Sequence, residues 1–143
     1  MLLLALAILP VIALATYIYI KDRFQREPLS LLLLALLCGA LTTIPVMFVE
    51  RFLQSMYPYE GVSGALYRAF VVAGCTEEGF KLLALYLLIW RNRYFDEYFD
   101  GIVYAAFVSL GFAGVENIMY VFGGGVVTGI MRALLSVPAE RTR

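Results

Sequence analysis

Apolar residues in this chain come in runs about as long as a lipid bilayer is thick, and that length decides the fold class. A helix rises about 1.5 Å per residue, so crossing a hydrocarbon layer roughly 30 Å deep takes about 20 residues. Leu2 to Ile20, Leu29 to Phe48, Tyr67 to Trp90 and Gly101 to Phe122 fit that requirement, and Val126 to Ala139 begins a further run. The stretches between them are short. The expected fold is all-α: a polytopic transmembrane helix bundle of four full spans plus the start of a fifth, with residues 1–143 as one membrane-embedded domain. Composition agrees, since 62% of the 143 residues are hydrophobic and only 15% are charged.

Polar and basic residues set the expected topology. Lys21, Arg23 and Arg26 crowd the first connection and Arg91 and Arg93 the third, so the positive-inside rule puts those loops in the cytoplasm and the N-terminus outside. Ala13, Leu14 and Ala15 imitate a signal-peptide cleavage site. No positive charge precedes them, and the apolar run continues to Ile20, so this segment reads as a retained anchor. Tyr17, Tyr19, Tyr57, Tyr59, Trp90 and Tyr98 flank the connections as interfacial anchors. Val49 to Met56 alternates apolar and polar residues at helical spacing and reads as a short helix on the membrane surface. Pro28 is placed to open the second helix, Pro45 to kink it, and Gly123 to Gly125 to form a tight connection before the fifth.

Several function classes drop out. Lys plus Arg and Asp plus Glu number 11 each, with no basic patch or arm, so no nucleic acid partner is expected. Histidine is absent, which removes the usual zinc ligand and the usual acid or base at neutral pH. Cys38 and Cys75 lack metal-ligand spacing and read as buried thiols.

Against this apolar background, Glu77, Glu78 and Lys81 stand out inside the third run. An ionisable residue at the centre of a span costs roughly 2.5–3.5 kcal/mol or more, so such residues mark functional sites. Spacings of three and four residues put both acids within reach of Lys81. If the third and fourth spans are antiparallel neighbours, helix rise brings Glu116 and Asn117 to within about a turn of the same depth. A fifth helix running back would carry Arg132 to that layer too. One reading is a buried salt-bridge network fixing helix register, with Glu116 paired to Arg132 and Glu77 to Lys81. Asp100, at the start of the fourth span, suits a helix N-cap.

The segment Glu77-Glu78-Gly79-Phe80-Lys81 resembles the Glu-Glu-x-x-Lys motif of the PrsW family of bacterial intramembrane proteases, relatives of the CAAX prenyl endopeptidases and bacteriocin-immunity membrane proteins. Phe99 to Tyr104 through Gly111 to Asn117 is similar to that family's second motif, and Arg132 to Ala139 to the start of its third. The Lys21 to Arg26 loop followed by Glu27-Pro28-Leu29 is also in character. This resemblance implies hydrolysis of a peptide bond of a single-span membrane protein such as an anti-sigma factor, releasing a stress response in the bacterial cytoplasmic membrane. In that chemistry Glu77 or Glu78 activates water and Lys81 keeps one of the pair ionised. Glu116 and Asn117 bind the water or the scissile amide, with Asp100 and Arg132 in support.

After Pro-Ala the family carries a histidine where this sequence has Glu140, followed by three residues and its end. The expectation is a chain truncated, altered or diverged at its C-terminus, with weak or absent activity, because a carboxylate opposes a developing oxyanion. No cofactor or metal is expected, although Glu77, Glu78, Glu116 and Asn117 offer oxygen ligands for a divalent-metal hydrolase. A non-catalytic binding or immunity protein of the same fold competes with both. A proton-coupled transporter is disfavoured by the absence of an inverted repeat.

Overall fold

The computed structural model describes residues 2–21, 27–57, 60–90, 92–93, 95 and 98–135, with the side chain of residue 3 and those beyond residue 123 left aside. Among the described residues all regular structure is helical: α1 (Leu2–Lys21), α2 (Leu29–Met56), α3 (Val62–Leu66), a π-helical segment (Tyr67–Cys75), α4 (Thr76–Ile89) and α5 (Tyr98–Leu135). α3, the π segment and α4 follow without a break, so the described residues form four rods. Among the described residues three windows are long and apolar enough to cross a membrane: Leu4–Lys21, Leu29–Met56 and Tyr98–Gly123. The third expected span is the exception, because α4 alone has 14 residues and the turns before it are α3 and the π segment.

Sequence pattern explains why α2 and α5 form the centre. Ala35, Gly39 and Thr43 recur every four residues along α2 and are buried. A side chain at Gly39 would collide with the backbone of Val108, and one at Gly111 with the backbone of Leu36 and Ala40. The two helices thus touch backbone to backbone, the close approach that small residues permit where lipid offers no hydrophobic drive between helices. The helices run in the same direction, Glu27 ahead of α2 meeting Tyr104 early in α5 and Glu50 late in α2 lying near Glu116, and Leu32, Ala35, Val103, Tyr104, Phe107 and Val108 make the core between them. α1 packs on this core through Ala15, Ile18 and Tyr19 and reaches Gly114 with Val11, so it runs antiparallel to α5. On the opposite face of α2, Leu33, Leu37, Leu41, Ile44 and Phe48 are exposed in a continuous stripe. Such a stripe suits lipid, not water.

Pro28 does open α2, its carbonyl accepting from Leu31 and Leu32. Other expectations are corrected. Val49 to Met56 is no separate surface helix but the last two turns of α2, which continues through Pro45. Gly123 to Gly125 form no connection, because α5 runs through them to Leu135, and no separate fifth rod follows among the described residues. The physical reason lies in the solvent: a helical glycine costs about 1 kcal/mol relative to alanine, whereas each backbone group left unpaired in hydrocarbon costs several. Cys75 is an exposed free thiol, and Cys38 is half-buried.

Candidate active site

The Glu-Glu-x-x-Lys motif falls in the first turns of α4, immediately after the π segment. π geometry appears frequently at functional sites, and here it carries a local signature: the Thr76 hydroxyl donates to the carbonyl of Val71, five residues back, at 3.4 Å. Lys81 Nζ donates to Glu78 Oε1 at 2.8 Å and lies 3.5 Å from Glu77 Oε2. The two acids differ in setting. The Glu77 side chain is 23% exposed and that of Glu78 73% exposed, while the Lys81 stem is 15% exposed. The Lys81 ammonium also sits 4.4 Å from the centroid of the Phe112 ring on α5. That cation–π contact fixes the antiparallel register of α4 against α5 one turn from Glu116.

Glu77 and Glu116 share a neighbour that the sequence reading missed. Glu50, from the last turns of α2, lies close enough to both for their charges to act on it. Three helices therefore bring Glu50, Glu77 and Glu116 towards one layer, with Lys81 as the cation described there. A signal for Glu50 was present: it extends the series Gly39, Thr43 and Val46 by one more helical turn, and those three positions are buried. Reading its segment as a surface helix hid the pattern. Asn117 follows Glu116 on α5 and is half-buried.

Other expected members lie elsewhere. Asp100 is in the first turn of α5, not at its N-cap, and helix rise puts it about 24 Å from Glu116. It belongs to a second buried cluster, where the Tyr104 hydroxyl donates to Glu27 ahead of α2 and Asp100 lies within electrostatic range. Arg132 does not return to the depth of Glu116. It sits 16 residues further along the same uninterrupted helix, about 24 Å beyond it, and its side chain lies outside the described residues. Glu140 lies outside them as well.

Partly buried carboxylates from α2, α4 and α5, with a lysine beside them and long apolar helices around them, define an integral membrane protein with an ionisable site in its bundle. The description "PrsW family intramembrane metalloprotease" fits residues 27–139. The chain belongs to this family. Relatives named Protease PrsW include those of Geobacillus kaustophilus, 43% identical over 96% of this chain and 60% of the relative, Clostridioides difficile, 40% identical over 94% and 58%, and Bacillus subtilis, 40% identical over 91% and 58%. The chain spans about three fifths of the length of these curated relatives. No solved structure matches it.

The family description raises the question of a metal ion. The described residues do not fit one: they contain no group of three or more His, Cys, Asp or Glu able to hold it, so Glu77, Glu78 and Glu116 do not form a ligand set. Lys81 already occupies the space between Glu77 and Glu78, where its charge would repel a cation.

Proposed function

We propose that the chain forms the carboxylate-bearing part of a protease acting within the bacterial cytoplasmic membrane, and that Glu77 is its general base. The observation carrying this reading is the contrast between two adjacent acids. Glu78 is exposed and bonded closely to Lys81, whereas Glu77 faces the layer shared with Glu50 and Glu116. In the reaction, Glu77 takes a proton from water as the water oxygen attacks the scissile carbonyl. The tetrahedral intermediate then collapses, the C–N bond breaks, and Glu77 returns the proton to the leaving amine. Lys81 holds Glu78 charged and orients Glu77, while Glu116 and Asn117 position the water or the amide. The four rods all cross the membrane, with the N-terminus outside. The substrate is a single-span protein such as an anti-sigma factor, whose cleavage releases a stress response.

A static network that fixes register is the second reading, and the contacts of Lys81 to both acids favour it. Co-expression of the intact gene product with a tagged single-span substrate separates the two. Chemistry at Glu77 predicts fragments that vanish in Glu77→Gln and persist, reduced, in Glu78→Gln, with both variants folded. A purely structural network predicts that fragments depend on neither substitution. For the 143 residues alone we expect weak hydrolysis, because Glu140 stands where the family carries a histidine. Glu140→His then raises the cleavage rate, and an unchanged rate contradicts that role for position 140.

A further inference from the structure

Between the end of α2 and the start of α4 lies an apolar pocket of about 300 Å³, lined among others by Val49, Leu53, Val71, Thr76, Gly79 and Leu83. Its walls lie on the same helical turns that carry two of the carboxylates, Val49 preceding Glu50 on α2 and Thr76 preceding Glu77 on α4. Gly79 borders this space. A Cβ built there meets no heavy atom within 4 Å, whereas Gly39 and Gly111 are pressed against a neighbouring backbone. Glycine inside a helix is destabilising relative to alanine, and at position 79 no close approach of backbone accounts for it. The one hydroxyl in the wall, that of Thr76, is engaged with the carbonyl of Val71, which leaves the lining apolar.

We propose that this pocket receives a large apolar side chain of the substrate next to the scissile bond, leucine or phenylalanine in size, and that Gly79 sets the size it accepts. The inference rests on the proteolytic reading above. A side chain seated there lies beside Thr76, and so holds its own peptide bond towards Glu77. The volume matches the lower end of small-ligand sites, room for one bulky residue and not for a helix.

Two measurements on the intact protein in nanodiscs test this. The first uses a single-span peptide of leucine and alanine with a photoreactive phenylalanine analogue at its centre. Crosslinks are expected within residues 71–83 and on Val49 or Leu53, and they fall about tenfold in Gly79→Leu, whose side chain fills the space. Crosslinks scattered over the exposed stripe of α2, or insensitive to Gly79→Leu, overturn the proposal and leave the pocket to lipid or to another stretch of the protein. The second compares kcat/KM for substrates that differ in the one residue beside the scissile bond. Gly79→Leu lowers the preference for phenylalanine over alanine about tenfold or more, and Leu83→Ala raises it. Misfolding lowers all substrates together and cannot shift the preference in opposite directions. An unchanged preference in both variants overturns the proposal. Crosslinking requires no hydrolysis, so pocket crosslinks without cleavage would count against the protease and not the pocket. Cleavage dependent on Glu77 without pocket crosslinks would do the reverse.

Discussion

Glu77 and Glu78 point about 100° apart around their helix, and that angle separates a carboxylate turned into the polar layer from one turned out of it. Lys81 serves both. Lys81→Met leaves two carboxylates without this cation and lowers stability by about 1–3 kcal/mol, the cost of stranding a desolvated polar group. The triple variant Glu77→Gln, Glu78→Gln, Lys81→Met removes charge from all three and recovers most of the loss. Thermal or denaturant unfolding in detergent measures both, and a triple variant no more stable than Lys81→Met contradicts the pairing. Glu77, Glu78, Lys81 and Glu116 were legible in the sequence because charge inside an apolar run is costly and therefore conspicuous. Glu50 was not, because it stands near the end of its run among Arg51, Gln54 and Ser55, where polarity looks ordinary. Arg132 was misplaced because its position hung on a turn that the helix does not make.

At the scale of elements, glycines in two settings give the packing account its sharpest test. Gly39 and Gly111 bring α2 and α5 into backbone contact, so alanine at either costs about 1–3 kcal/mol through overpacking. Gly79 and Gly123 face open space, so alanine there stabilises the helix by about 0.4–1 kcal/mol. Unfolding midpoints of the four variants check the sign at each position, and a stabilising Gly39→Ala removes the close seam from the account. Helix existence followed from run length, as α1, α2 and most of α5 show. Two features did not. The π segment shifts side-chain facing before Thr76, which a constant 3.6-residue period cannot register. Gly123 to Gly125 carry the composition of a turn in water, and the fold follows the harsher rule of the bilayer.

For the whole molecule, the stripe of exposed Leu33, Leu37, Leu41, Ile44 and Phe48 presents a lipid face, and the proposed orientation, with the basic first and third connections in the cytoplasm, rests on the positive-inside rule. In a variant lacking Cys38 and Cys75, a cysteine replacing Glu60 reacts with an impermeant thiol reagent from outside the cell, and one replacing Arg23 reacts only after the membrane is opened. The opposite pattern inverts the topology. The central claim, water activated by Glu77 inside the bundle, is tested most directly by the intact protein reconstituted in vesicles with a single-span substrate, in ¹⁸O-labelled water. The account predicts label in the new carboxylate and a loss of about 10²–10⁴-fold in rate for Glu77→Gln, with its unfolding midpoint near that of the parent protein. Cleavage by Glu77→Gln at the parent rate would contradict it.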